Sequence, residues 1–225
     1  MKSCIVNYAN GGWYIKGQER LKKSLEDFNY KGDILLFTDP KEINCKTHQE
    51  NPYSFKPYAI KKAKDMGYTN VTWVDASFYA VKEINFIDEH LEKFGYGFQE
   101  SGWNVSQWTN DKCLELFKEE REPLFEAKMI SSGFMSFNFN FEICNTALNM
   151  FLESADNGSF IGKWNNKDQT ESLDSRVLGH RHDQSAISII INKLKLKISD
   201  NDTFFCYNYS HIVNFPDVCF YIAGC

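Results

Sequence analysis

The chain reads as an α/β protein with a mixed, mostly parallel central sheet flanked by helices, on three observations. Strand-like and helix-like runs alternate as strand–helix–strand–helix–strand up to Ser77, the pattern of a parallel sheet. The run Val71-Thr72-Trp73-Val74 is short, apolar and β-branched, as a buried central strand is. It ends abruptly in Asp75-Ala76-Ser77, and ligands of open α/β sheets sit at the carboxyl ends of strands. Asp75 is therefore either a site residue or a cap on the following turn, a common use of Asp.

Taken in order, Cys4-Ile5-Val6-Asn7-Tyr8 is the first strand, and Ala9-Asn10-Gly11-Gly12-Trp13-Tyr14 is a turn. A helix follows from about Lys16 to Phe28, with Leu21, Leu25 and Phe28 on one face. Asp33–Asp39 is a second buried strand that Pro40 stops. Residues 41–55 form a polar loop. Lys56-Pro57 opens a second helix, Pro suiting a first turn, with Ile60, Ala63 and Met66 inward and Gly67 at its end. The strand to Asp75 comes next. A helix near Ile87–Phe94 ends at Gly95, and Tyr96-Gly97-Phe98 is a short strand.

Gln99–Thr109 reads as an aromatic, amide-rich loop, with Thr109 capping a helix over Asp111–Glu119. Two short strands flank Ser131-Ser132-Gly133, and Phe134–Phe139 alternates with period two, as a half-exposed strand does. A helix spans about Glu142–Ser154. Residues 156–182 have little periodicity, which predicts a long loop of functional or mobile character. Asp183–Leu194 is a helix with Asp183 near its cap and Ala186, Ile189, Ile190 and Leu194 inward. The aromatic tail 203–225 shows no periodicity.

The 225 residues are 43% hydrophobic and 16% aromatic, enough to bury a core in a single domain. No internal repeat or linker interrupts it. Net charge is -5, and dispersed Lys and Arg leave no nucleic-acid footprint. No apolar run approaches the roughly 20 residues that cross a bilayer, and the N-terminus lacks a signal-peptide pattern. The seven cysteines are odd in number, contain no CxxC pair and are scattered like small core residues. A reduced, cytoplasmic setting follows, without a zinc site.

Several of these motifs, in this order, resemble one family. They are the first strand with its polar turn, Lys56-Pro57, Trp73-Val74-Asp75-Ala76-Ser77, Ser132-Gly133 before a strand, and His182-Asp183-Gln184 opening a helix. Together they resemble a small GT-A-type nucleotide-diphospho-sugar glycosyltransferase of the viral and bacterial surface-glycan kind, over residues 4 to about 194. The resemblance implies a GT-A-like (Rossmann-like) domain with a nucleotide-binding half at about 1–80 and an acceptor half at about 81–225. It implies a nucleotide-diphosphate sugar as donor, a glycan or glycoprotein as acceptor, and the cytoplasm, that of the host if the source is viral.

In that family an Asp-x-Asp motif holds a divalent cation on the diphosphate, because a leaving diphosphate develops negative charge. Here the motif is Asp75-Ala76-Ser77, without the second carboxylate. Ser77 offers a hydroxyl instead, and Mn²⁺ or Mg²⁺ would be coordinated mostly by substrate. The resemblance places Lys56 near the diphosphate; the plain alternative is a solvated lysine. Tyr8, Ala9 and Asn10, with Thr38 and Asp39, would hold base and ribose. Ser132 and Gly133 would let backbone approach the donor sugar.

Trp103 and Asn104 lie in a second cluster, Glu100–Asn104. Aromatic faces beside amides suit a sugar, although Trp103 and Trp108 equally suit a core. Asp183 is the candidate base that deprotonates the acceptor hydroxyl, or else a helix cap worth about 1 kcal/mol. His182 accompanies it. His211 is a candidate late metal or diphosphate contact, against the commoner structural role of a lone His.

The expected activity is transfer of a hexose or pentose to a hydroxyl. A sugar nucleotidyltransferase on the same fold would carry a basic Gly-rich loop after the first strand, and Asn10-Gly11-Gly12-Trp13 is not basic. A non-catalytic glycan-binding module would explain the aromatics and the missing second Asp. It would not explain Lys56, Asp75 and Asp183 at helix starts and strand ends.

Overall fold

The computed structural model describes residues 2–215 and 217–224. Its centre is a five-stranded sheet built from β1 (Ser3–Tyr8), β2 (Asp33–Phe37), β3 (Asn70–Val74), β5 (Tyr96–Gly97) and β8 (Phe134–Asn138), in the order β2-β1-β3-β8-β5. The strand β4 (Phe78–Ala80) follows β3 in sequence and belongs to a second sheet. In the central sheet β1 pairs parallel with β2 and β3, whereas β8 runs antiparallel to both β3 and β5. The sheet is therefore mixed, its first three strands parallel. They are joined by α1 (Gly12–Asp27) and α2 (Phe55–Asp65), and their carboxyl ends open on one edge.

Both faces of this sheet are covered. Trp73, Met135 and Phe137 pack with Ala59, Ile60, Phe151, Ile187 and Ile190 on one side. Ile5, Val74 and Phe134 pack with Leu21, Leu25, Phe78, Phe204 and Phe220 on the other. Each fully buried Val, Leu, Ile, Phe or Met side chain among them contributes about 1.5–3 kcal/mol of transfer free energy. This corrects the reading of residues 134–139 as half-exposed. Every residue of β8 is buried, so its alternation is between two covered faces. Ser136, on that strand, is satisfied by Thr72 Oγ1 at 2.9 Å.

The remaining elements are α3 (Phe86–Phe94), β6 (Glu100–Asn104), α4 (Asp111–Phe117), β7 (Lys128–Ile130), α5 (Glu142–Asp156), α6 (Asp183–Lys193), β9 (Phe205–Cys206), α7 (His211–Asn214) and β10 (Phe220–Ile222). Within the expected loop at 99–109, Ser106–Trp108 is a 3-10 turn, and Glu100–Asn104 is a strand paired with β7, irregular where Gly102 takes a left-handed φ of 79°. Its Ser, Gly and Asn carry no strand signal, and pairing decides the conformation. The tail is ordered by β4, which pairs with β10, and β10 with β9. Strands of two or three residues are too short to show a period.

Other boundaries move for local reasons. The first helix begins at Gly12, a turn earlier than read, so Trp13 and Tyr14 are helical. Met66 is exposed at the end of α2 rather than inward. Asn110, not Thr109, caps α4 by accepting from Cys113 N–H; the Thr109 hydroxyl donates to Val105 O instead. No helix among the described residues is long and apolar enough to cross a membrane. Cys4, Cys45, Cys113, Cys144, Cys206 and Cys219 are free thiols; Cys225 lies outside the described residues.

Candidate functional site

The site begins where β1, β2 and β3 end. Beneath it lies a polar latch that holds these ends in register. Asn7 donates to Val74 O at 2.6 Å, and Gln18 donates to Asn7 Oδ1 at 2.8 Å and to Phe37 O at 3.1 Å. The helix α1 closes on the same point. A Cβ on Gly17 would lie 2.3 Å from Ala76 O, so only glycine lets this helix touch the turn after β3.

Asp75 is pinned at that turn. Its backbone N–H donates to Gly133 O at 2.9 Å, and Trp73 Nε1 donates to its Oδ1 at 2.8 Å. Gly133 is required by packing: a Cβ there would meet Phe78 at 2.8 Å and Asp75 Oδ2 at 3.3 Å.

Lys56 is the hub. It lies in the first turn of α2, where the helix dipole disfavours a cation, and is only 3% exposed. Its ammonium is 3.0 Å from Asp183 Oδ2, 3.2 Å from Asp75 Oδ1, and 3.1 and 3.2 Å from Ser132 O and Oγ. The Asp183 contact has ion-pair distance without the alignment of a hydrogen bond. Burial pulls the Lys56 pKa down, but Asp183 and Asp75 outweigh it and hold the group above the ordinary lysine value. Lys56 is thus charged and saturated by oxygen.

The two carboxylates are not equivalent. Asp183 is 4% exposed, whereas a third of the Asp75 side chain, 32%, faces solvent. Burial raises the Asp75 pKa, Lys56 opposes it and the Asp183 charge adds to it, for a net rise; the open edge limits how far burial acts. Asp75 is the solvent-accessible carboxylate of the two. Asp183 is not the cap of α6. That position is His182, in an unusual backbone conformation at φ 52° and ψ -120°. His182 Nδ1 lies 2.8 Å from Phe160 O, and its ring packs on Tyr53 and Trp164.

Beside this centre is a cavity of about 480 Å³ lined by Tyr8, Ala9, Asn10, Tyr14, His48 and Tyr53, with Thr47, Gln49 and Phe55. Tyr8 stacks on Phe55 with ring centroids 4.8 Å apart. His48 Nδ1 accepts the Tyr53 N–H, and burial lowers its pKa, which keeps the ring neutral. Flat aromatic walls with amide and hydroxyl edges suit a heterocycle and a ribose. Tyr8, Ala9 and Asn10 were legible in the sequence; His48 and Tyr53 were not, because they lie in a stretch with no period. Thr38 and Asp39 fall outside this lining. Thr38 O accepts from Asn10 Nδ2, and Asp39 caps a short 3-10 turn at residues 40–43.

Around Arg181, two residues before Asp183, stands an aromatic cage. Trp103 stacks on Trp108 at 5.0 Å. The Arg181 guanidinium lies 3.9 Å from the Trp164 ring, 4.5 Å from Trp103 and 5.5 Å from Trp108. Trp103 and Trp164 are 39% and 48% exposed. Asn104 turns away, its amide paired with Gln107. Arg181 and Trp164 escaped sequence reading, although Arg181 directly precedes His182-Asp183.

A divalent ion implied by the Asp-x-Asp resemblance does not fit the donors present. Asp75 Oδ1 already takes the Trp73 N–H, and both its oxygens face Lys56. The backbone carbonyl of Ser77, in the place of a second acid, accepts from Arg20 and Ala223. His211 sits on the short α7, with Nδ1 held by Asp202 Oδ2 at 2.9 Å. Among the described residues no three His, Cys, Asp or Glu side chains converge as a metal site. The cation between the two aspartates is the ammonium itself.

No protein-family model and no curated protein matches the chain. Solved structures do. Mouse xyloside xylosyltransferase 1, apo form, is similar over 100% of this chain and 98% of its own, with TM-score 0.57 and 10% identity. A glycosyltransferase involved in glycosylation of the PBCV-1 major capsid matches over 97% and 93%, with TM-score 0.53 and 14% identity. The bifunctional glycosyltransferase WbbM matches over 98% of this chain and 45% of its own, with TM-score 0.52 and 8% identity. The chain has the GT-A-type fold of these glycosyltransferases.

Proposed function

We propose that the protein is a glycosyltransferase that moves a sugar from a nucleoside-diphosphate donor to a hydroxyl of a glycan or glycoconjugate. The observation that carries this is the Asp75–Lys56–Asp183 centre, accompanied by an aromatic cavity and a partly exposed indole cage. The nucleoside occupies the cavity of Tyr8, Asn10, His48 and Tyr53. The sugar crosses the face of Asp75, and the acceptor lies against Trp103 and Trp164.

In a direct displacement the acceptor oxygen bonds to the anomeric carbon. The bond from that carbon to the phosphate oxygen breaks, its electron pair stays on the phosphate, and the hydroxyl proton passes to Asp75. The partial exposure and raised pKa of Asp75 suit it to receive that proton. Lys56 and Asp183 keep Asp75 in place, and Trp73 fixes its rotamer. Positioning supplies most of the remainder.

The xylosyltransferase and capsid-glycosylating neighbours are compatible with a pentose or hexose donor and a glycoprotein acceptor. Six free cysteines support action in a reducing compartment such as cytoplasm.

A thermal-shift panel of UDP, GDP, CDP and dTDP and their sugars tests this, with and without Mn²⁺. One base class raises the melting temperature by mass action, and its sugar nucleotide is turned over slowly to free diphosphate. Absence of any shift and any turnover refutes the reading.

A further inference from the structure

The cage around Arg181 has no structural need for the charge it holds. Among the described residues the other arginines all have oxygen partners. Arg20 donates to Ser77 O and Gly224 O, Arg121 to Asp111 and Ser106 O, and Arg176 to Asp174 and Glu122. The Arg181 guanidinium has none, and its Nε is buried without a partner. It lies instead among three indoles, within cation–π range of each. A cation–π contact takes none of the N–H donors of a guanidinium, and its N–H edge is the one that matches a phosphate oxygen pair. An unmet buried donor is costly, and an oxyanion on that edge would satisfy it.

The position fits the donor. Arg181 is two residues from Asp183. Its neighbour Trp164 touches His182 at 5.3 Å and lies 6.4 Å from Tyr53, which lines the nucleoside cavity. Burial lowers the Arg181 pKa, and the Asp183 charge opposes that, so the two side chains sense each other. Lys56 is saturated by its oxygens, and the donors around Asp75 leave no place for a divalent ion.

We infer that Arg181 is the diphosphate-binding cation of this site and serves the leaving group in place of a divalent metal. This rests on the glycosyl-transfer reading. As the anomeric bond breaks, the electron pair remains on the terminal phosphate oxygen of the nucleoside diphosphate, and the Arg181 edge donates hydrogen bonds to it without giving up a proton.

The test is titration calorimetry in EDTA with UDP, GDP, CDP, dTDP, their nucleosides, inorganic pyrophosphate and glucuronate. It uses the wild-type protein, Arg181→Gln and Arg181→Lys. The wild type is expected to bind one nucleoside diphosphate, and pyrophosphate, equally well in EDTA and in Mn²⁺. Arg181→Gln is expected to lose about tenfold to a hundredfold in diphosphate affinity while binding the nucleoside unchanged, which also reports that the cavity is folded. Arg181→Lys recovers part of the loss.

Three results overturn the inference while sparing the glycosyl-transfer reading. They are diphosphate affinity unchanged in Arg181→Gln, wild-type diphosphate binding that EDTA abolishes, and Arg181-dependent binding of glucuronate alone, which would assign the guanidinium to an acidic acceptor. The EDTA comparison needs no variant and stands even if Arg181→Gln fails to fold. No binding of any nucleoside or nucleotide by the wild type overturns both.

Discussion

Replacing Asp183 by Asn separates a proton acceptor from a buried counter-ion. The substitution keeps the shape and removes one charge that lies 3.0 Å from the Lys56 ammonium. At an effective dielectric constant near 20, a pair at that distance is worth about 5–6 kcal/mol. The Asn oxygen keeps a charge–dipole contact with the ammonium, worth about 2 kcal/mol on the scale of polar contacts to charged groups, and Asp75 remains at 3.2 Å to balance the ammonium. A net loss of about 3 kcal/mol follows, at the lower end of what breaking a buried ion pair costs. In a chain of 225 residues that corresponds to a melting temperature lower by about 6–12 °C. Activity per folded molecule is expected to fall less than tenfold, because Asp183 is 4% exposed and does not reach an acceptor. Thermal melts and product formation normalised to the folded fraction measure both effects. An unchanged melting temperature with turnover down by about 10²-fold or more, the scale of lost general-base catalysis, would refute this. Asp183 would then be the base after all.

Asp75→Asn has the complementary profile: near-native stability, since its edge is solvated, and turnover lower by about 10²-fold or more. Wild-type turnover in this variant would remove Asp75 from the chemistry. Gly17→Ala should destabilise by about 1–3 kcal/mol, exceeding the roughly 1 kcal/mol gained in helix propensity, because its Cβ meets Ala76 O at 2.3 Å; a higher melting temperature would contradict that contact. Burial pushes the His180 pKa down to about 3, while the unfolded chain protonates near 6.5. The depressed folded value means stability is present above about pH 6.5 and is lost as pH falls towards 3, by about 1.4 kcal/mol per unit. His180→Gln should flatten that acid slope by one proton, and identical slopes would show that His180 titrates normally. In the loop 156–182, the amides of Glu171 and Ser172 are held by Asn166 Oδ1 and should resist hydrogen exchange throughout. Amides around Trp164 should gain protection with a donor sugar, and an unchanged pattern would mean the loop does not close.

The sheet was legible because its central strands carry their own signal. Residues 71–74 are apolar and β-branched, and nothing but a buried strand suits them. Asp75 was legible because a carboxylate ends that run. Lys56 could be placed but not weighed. A lysine at a helix start reads as solvated, and its burial depends on Asp183, more than a hundred residues later, and on Ser132. Asp183 was seen, and its exposure was not: a residue at a helix start is usually at the surface, yet this helix is buried along most of its length. The Arg181 cage draws on Trp103, Trp108 and Trp164, residues that share no period and meet only once the chain has folded. The short strands of the tail acquire their conformation from pairing, β10 with β4 and β9 with β10, rather than from propensity.

The indole cage also gives the molecule an optical property. The chain has five tryptophans. Trp103, Trp108 and Trp164 surround one guanidinium, and Trp73 donates its N–H to Asp75. Trp13 stands apart, exposed and beside Lys16. Four of the five tryptophans therefore stand within the site and report on it. An anion that draws Arg181 off the rings, or a sugar that displaces water from Trp164, changes both its intensity and its wavelength. Occupancy can be read directly from unlabelled protein, one addition of ligand at a time.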